Sequence, residues 1–218
     1  SGASGFQGNR LIALDKETGA RIWSLGRATF EEHLGVAESS CWIAGLPEKN
    51  GKQLYCVVEW NSEIRLACIS AETGELNWTV PLAFPEQAID KDVVRRYWAV
   101  KPLRVGGLIW SLTTAGSLVC VDEVSQSIVY ATAIQEESST ESRPPTGRGQ
   151  PVVFTRPLAM TGRWPKSRIV AINGAIVVMA HESHDIVVIE PESGGLIRRI
   201  EVEPGTVVVH VDEKQIVL

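Results

Sequence analysis

A segment of thirteen residues recurs four times along this chain, and internal repetition restricts the available folds more tightly than composition does. The copies are Leu11 to Trp23 (LIALDKETGARIW), Leu66 to Trp78 (LACISAETGELNW), Leu118 to Tyr130 (LVCVDEVSQSIVY) and Ile186 to Arg198 (IVVIEPESGGLIR). They align without internal gaps. A polar residue stands at 15, 70, 122 and 190; a Gly follows four residues later in three copies, and an aromatic eight residues later in three. The wider interval before the last copy holds an insertion, Gln135 to Pro151, which is polar, proline-bearing and free of aromatics. That composition predicts a flexible loop rather than a domain boundary.

Each copy predicts a β-hairpin. An apolar strand ends at Asp15 or its equivalent, whose short side chain can bond nearby backbone N–H groups and start a turn. Gly19, Gly74 and Gly194 then supply positive φ, and a second strand closes on the aromatic. Upstream lie further β-rich runs, Gln53 to Glu59, Gly107 to Thr113 and Ala175 to His181, each followed by a short polar turn. Before those come the apolar segments Ser40 to Ala44, Trp98 to Pro102 and Arg168 to Ile172. The result is about four short antiparallel strands per unit of roughly 50 residues, with no helical period sustained anywhere. Four-stranded units at that period are propeller blades. The predicted fold is therefore an all-β β-propeller of about four blades, one domain spanning 1–218. Its units are expected at about 40–80, 98–134 and 152–202, with a fourth assembled from 10–25 and 206–218.

Composition narrows the function. In 218 residues, 44% are hydrophobic and 22% charged, enough to bury a core of ordinary globular size. A formal charge of -5 argues against a nucleic-acid-binding surface, which needs an excess of Lys and Arg. The longest apolar stretch, Ile169 to Ala180, is interrupted by Asn173 and Gly174 and is too short to span a bilayer. The chain opens on Ser-Gly-Ala-Ser-Gly with no initiating Met and no signal peptide, so the compartment is not directly readable. Four cysteines are too sparse for a disulfide scaffold, and none forms a CxxC pair.

Candidate chemistry is thin. His181 and His184 flank a predicted hairpin turn, where three-residue spacing does not bring side chains together, so solvated turn histidines are the expected state. Cys56 and Cys68 flank the Asn61-Ser-Glu63 turn; a three-residue loop would set them directly opposite each other, while free buried thiols are the plainer expectation. Gly106 and Gly107 lead into a strand rather than a helix, so they form no phosphate loop, and no GxSxG elbow exists. Acidic pairs such as Glu31 with Glu32, and Asp90 with Asp92, read as solvated loop faces. One basic, aromatic-bearing patch stands out: Arg95, Arg96, Tyr97 and Trp98, with Lys101 and Arg104 nearby. It is a candidate surface for an acidic partner or a saccharide, the alternative being an outer blade strand with exposed arginines.

The first copy fills the pattern Ala-x-Asp-x-x-Thr-Gly-x-x-x-Trp with Ala13, Asp15, Thr18, Gly19 and Trp23. In this it resembles the repeat of the PQQ-like, or quinoprotein-type, β-propeller family. The second copy keeps Thr73, Gly74 and Trp78 but has Cys68 and Ser70 in place of Ala and Asp; the third keeps Asp122 and an aromatic, and the fourth an acid and Gly194. The run from Val105 to Asp122 also resembles large propeller proteins of planctomycete-type bacteria. The family resemblance implies that Trp23 and Trp78, with Tyr130 a substitute, dock flat between neighbouring blades; Arg198 departs from the pattern.

Two branches of the family bear on function. Quinoprotein dehydrogenases bind pyrroloquinoline quinone (PQQ) and calcium, yet no residue here matches the calcium ligands or the catalytic Asp, and the adjacent Cys pair of many members is missing. The other branch includes the propeller lipoprotein of outer-membrane barrel assembly, which implies a periplasmic or cell-envelope location. The resulting expectation is a non-catalytic scaffold that binds a protein or peptide, with no catalytic residue, metal or cofactor assigned. The alternatives are a PQQ-dependent dehydrogenase or degenerate relative, and a carbohydrate-binding or sensory propeller of a larger protein. Two ring arrangements are open: a four-bladed ring closed by its termini, or an arc of a seven- or eight-bladed ring, which the missing Met favours.

Deleting Glu136 to Gly149 is expected to leave the melting temperature almost unchanged, because halving a flexible loop alters closure entropy by only about 0.6 kcal/mol. Calorimetry of the deletion variant checks this, and large unfolding would show an ordered segment.

Overall fold

The computed structural model describes residues 9–34, 41–85, 87–89, 91–92, 95, 100–134, 152–153, 167–180, 185–203, 210–211 and 216–217. A leading hairpin, β1 (Leu11–Leu14) and β2 (Arg21–Leu25), is followed by a helix, α1 (Arg27–Leu34). Blade I comprises β3 (Cys41–Asn50), β4 (Gln53–Trp60), β5 (Glu63–Ser70) and β6 (Leu76–Phe84). Blade II comprises β7 (Leu103–Val105), β8 (Leu108–Leu112), β9 (Ser117–Asp122) and β10 (Ser127–Ala133). A short strand, β11 (Val152–Val153), runs parallel to the end of β6 as a fifth strand on blade I. Blade III comprises β12 (Arg168–Ile172), β13 (Ala175–Met179), β14 (Asp185–Ile189) and β15 (Leu196–Glu201), and a trailing pair, β16 (His210–Val211) and β17 (Ile216–Val217), comes last. Within each blade the strands pair antiparallel in sequence order, while the leading and trailing pairs form separate two-stranded sheets. This is β-propeller architecture of about four blades.

The strands are apolar on both faces because each blade is covered on both. In β4, Tyr55 and Val57 point into a core shared with blade II, which contributes Ile109, Val119 and Val121. The alternate residues Cys56, Val58 and Trp60 point into the core under the leading hairpin, with Leu25 and Phe30. A third core joins Trp110, Leu118 and Cys120 of blade II to Ile176, Val178 and Val187 of blade III. A fourth lies beneath the trailing pair, where Ile216 packs on Ile172, Val177 and Met179. At about 25 cal/mol per Å² of apolar surface, these stacked interfaces are the main source of stability.

The repeated turn explains itself in hydrogen bonds. Gly19, Gly74, Gln126 and Gly194 each donate their N–H back to the carbonyl of the polar residue four positions earlier, at 2.8–2.9 Å. That residue's side chain ties down the same turn: Asp15 Oδ1 accepts from Thr18 Oγ1, Thr18 N and Glu17 N, and Asp122 Oδ1 accepts from Ser125 N and Val124 N. Both carboxyls are held below their ordinary range, Asp15 chiefly by the Thr18 hydroxyl and Asp122 chiefly by the Ser125 N–H. The aromatic then reaches across to the next blade. Trp23 lies on Gly74, one ring atom 2.6 Å from where a Cβ would sit, and its Nε1 donates to Ala71 O at 3.0 Å. Tyr130 covers Gly194 in the same way. In the third copy the glycine is absent, yet Gln126 adopts φ 53.

Asn9 ties the leading segment to blade I. Its side-chain amide donates to Ile43 O at 2.8 Å and accepts from Ile43 N at 2.6 Å, reproducing the pairing of one strand residue.

Four expectations are corrected. No helix was expected, yet residues 27–34 are helical: Arg27 and Glu31 pair at 2.5 Å one turn apart and Phe30 is buried against Trp60, rings 5.9 Å apart. Glu31 and Glu32 therefore lie on a helix rather than a loop. Of the strand expected over Trp98 to Pro102, the described residues 100–102 are not strand, and β7 starts at Leu103, just past Pro102, which has no N–H to give a ladder. The β4–β5 turn holds two residues, Asn61 and Ser62 at φ 49 and 64, so Cys56 faces Ala67 and Cys68 faces Tyr55. One residue of register puts the two thiols on opposite faces of the sheet. All four cysteines are free and buried, and burial pushes Cys41, Cys56 and Cys120 up to about 12. The insertion over 135–151 and the pair His181 and His184 lie outside the described residues.

Gly74→Ala and Gly51→Ala both place a Cβ at positive φ, which costs about 1–2 kcal/mol. Only Gly74 also lies beneath a ring, while nothing is within 4 Å of a Cβ at Gly51. Gly74→Ala is expected to lose about 1–3 kcal/mol more, the usual cost of overpacking, and urea unfolding of the two variants measures the difference.

Candidate functional site

The strand order divides the molecule into two ends. Turns between the first and second strands and between the third and fourth lie at one end of every blade. Turns between the second and third, and the long links to the next blade, lie at the other. The motif residues Asp15, Thr18, Gly19, Thr73 and Gly74 occupy the first end, with Ala13, Trp23 and Trp78 on the strands beside them. Their side chains are engaged in holding turns and blades together. The crossover end, with α1, the link between blades I and II and the Thr113–Gly116 turn, carries the long connections that binding sites on rigid scaffolds use.

Arg95 organises that end. It sits in the link, 2% exposed, where the sequence suggested a surface patch; this part of the expected patch is corrected, while Arg96, Tyr97 and Trp98 lie outside the described residues. Its guanidinium grips Glu59 at the end of β4 in a bidentate pair, Nη1 to Oε2 at 2.6 Å and Nη2 to Oε1 at 2.9 Å. Nε donates to Asp92 Oδ2 at 3.2 Å, Nη1 also reaches Thr114 Oγ1 of blade II at 3.3 Å, and Nη2 donates to the Gln87 carbonyl. All five N–H donors suit this fork geometry, which a Lys could not reproduce. Burial pushes the Glu59 carboxyl upward, against the pull of Arg95 and of the Ile89 N–H. One side chain thus fastens the link to two adjacent blades.

Glu59 and Thr114 were missed by sequence reasoning. A signal was present: Glu59 is a charge within the apolar run of β4, between Val58 and Trp60, and a strand buried on both faces cannot hold a carboxylate without a cation. Asp92 was expected to be a solvated acid; it is instead the third member of this cluster.

The cluster's chemistry is positional. Both Glu59 oxygens are taken by Arg95, so the carboxylate is not free to act as a base or metal ligand. Among the described residues no three His, Cys, Asp or Glu side chains converge to hold a cation.

The family described as outer membrane protein assembly factor BamB matches residues 6–160. Among solved structures, BamB from Moraxella catarrhalis superposes with a TM-score of 0.50 at 14% identity, covering 91% of this chain and 45% of that one. A europium-containing methanol dehydrogenase gives 0.53 at 13% identity, covering 90% and 38%. The quinohemoprotein alcohol dehydrogenase ADHIIG from Pseudomonas putida HK5 gives 0.50 at 15% identity, covering 94% and 33%. The chain spans less than half the length of each. At these identities the likeness establishes the propeller fold alone. No curated protein sequence matches.

Arg95→Ala strands the Glu59 carboxylate in the core and is expected to cost about 3–5 kcal/mol, whereas Arg95→Met combined with Glu59→Leu recovers most of that loss. Chemical denaturation of the three proteins checks the order.

Proposed function

Because this chain belongs to the PQQ-like β-propeller family of the outer membrane assembly factor BamB, we propose that it is a non-catalytic scaffold in the cell envelope whose crossover end binds a protein or peptide partner. The observation that carries the reading is the Arg95 cluster. The link between blades I and II, residues 85–102, is fastened by one guanidinium to Glu59 and Thr114, which holds its described residues Gln87, Asp92 and Arg95 against both blades. A pre-formed loop surface loses less conformational entropy on binding, which favours recognition of another macromolecule. Family membership supports a protein partner, since the matched family is an assembly factor. No helix among the described residues is long and apolar enough to cross a membrane.

The test is to immobilise the chain, capture detergent-solubilised envelope proteins from its source, and reconstitute the best-enriched one in purified form. A saturable complex is expected, weakened at least tenfold by substitution of the exposed link residues Gln87 and Lys91 with the melting temperature unchanged. A saturable absorbance change with PQQ and calcium, and no protein complex, would overturn the proposal in favour of a dehydrogenase-type propeller.

A further inference from the structure

We propose that Asn77, on the fourth strand of blade I, is the acceptor of an asparagine-linked glycan. Glu75-Leu76-Asn77-Trp78-Thr79 places a hydroxyl two positions after an Asn with no proline between, the pattern a glycosyl acceptor needs, and an acid two positions before it. The other asparagines, Asn9, Asn50, Asn61 and Asn173, have Leu11, Lys52, Glu63 and Ala175 where the hydroxyl belongs.

The repeat sets this residue apart structurally. In every copy the strand that follows the motif turn is bulged just before the aromatic or its replacement. Leu14 pairs with Arg21 and Ala13 with Trp23; Ile69 pairs with Leu76 and Cys68 with Trp78. Val121 pairs with Ile128 and Cys120 with Tyr130; Ile189 pairs with Leu196 and Val188 with Arg198. The extra residue, Ile22, Asn77, Val129 or Ile197, has no partner across the ladder. Three of these are apolar, and blade I alone holds an amide there. Asn77 is exposed, and its Nδ2 makes one weak contact, to Cys68 Sγ at 3.9 Å. A sugar joined to Nδ2 therefore displaces no strong hydrogen bond and no ladder pair.

The transfer balances without a redox partner. The amide nitrogen of Asn77 attacks the anomeric carbon of a lipid diphosphate-linked oligosaccharide. A C–N bond forms, the C–O bond to the diphosphate breaks, the lipid diphosphate leaves with the electron pair, and one amide proton passes to a base of the transferase. In the folded blade Thr79 Oγ1 accepts from Arg65 Nε at 3.0 Å, so transfer precedes the pairing of β6 with β5, while that hydroxyl is free. The finished glycan suits the fold. Asn77 is the second residue of β6, at the motif end, roughly 20 Å along the strand from the crossover end. It leaves the link clear and shields the edge of β6 ahead of Ala83, where β11 joins; a bare strand edge invites pairing with another chain.

This inference rests on the envelope location proposed above but not on the protein partner. The test exports the full chain into the periplasm of a bacterial host that carries an oligosaccharyltransferase requiring the acid two positions before the Asn, with its lipid diphosphate-linked heptasaccharide. Intact-mass spectrometry is expected to show one added glycan, placed by fragmentation on the peptide that holds Asn77. Thr79→Ser retains the addition, whereas Asn77→Gln and Thr79→Val abolish it. Asn77→Gln leaves the circular dichroism spectrum unchanged, because the position is exposed. A wild-type chain of unmodified mass, or a glycan that persists in Asn77→Gln, would overturn the proposal. Protein purified from its source separates the two readings: an envelope fraction holding only unmodified chain overturns the glycan alone, and a chain absent from the envelope overturns the location with it.

Discussion

Everything in this molecule depends on one spacing: the distance at which an aromatic ring of one blade can lie on the bare backbone of the next. Trp23 meets Gly74 and Tyr130 meets Gly194 at contacts a methyl group would forbid. Because the turn beneath each ring is closed by its own hydrogen bonds, the platform is rigid before the ring arrives. Sheets stacked at that separation can only bury both faces, which is why β4, β5 and β9 read as continuous apolar runs instead of alternating ones. The amino-acid pattern and the stacking are two views of one constraint.

Much of the fold was legible because repetition averages over local accidents. The four hairpins, their polar anchors and the upstream strands follow from residues whose roles recur. What escaped was what occurs once. α1 is eight residues long with a single buried side chain, Phe30, too little to register as a helical period. The Glu59–Arg95 pair joins positions 36 apart in segments with no shared pattern, and only the placement of a carboxylate inside β4 hinted at it. The register of Cys56 and Cys68 turned on whether Asn61 and Ser62 could both take positive φ, a choice of one residue in loop length. Gln126 is instructive in the opposite direction. The third copy lacks the glycine, but Asp122 supplies enough hydrogen bonds to hold a glutamine in the left-handed region.

The two ends of the blades have divided their labour. The motif end spends its polar side chains on itself, in short turns with little to offer a ligand. The crossover end spends a buried charge cluster on holding long connections in place. Buried ion pairs are poor investments in stability, since apolar replacements of equal volume do as well or better. Their virtue at this position is directional: a fork that fits two carboxylates, a hydroxyl and a carbonyl fixes where Gln87, Asp92 and Arg95 sit against Glu59 and Thr114.

The amide of Asn9 has a consequence at the opposite scale. An unpaired strand edge is a template, and any extended chain that meets it can add on and recruit the next, as in a growing fibril. On β3 the Ile43 N–H and C=O are instead satisfied by a single side chain that mimics a peptide group. Such a stopper ends the ladder without offering a fresh row of donors, so that position is sealed against templated growth by one residue rather than by another strand.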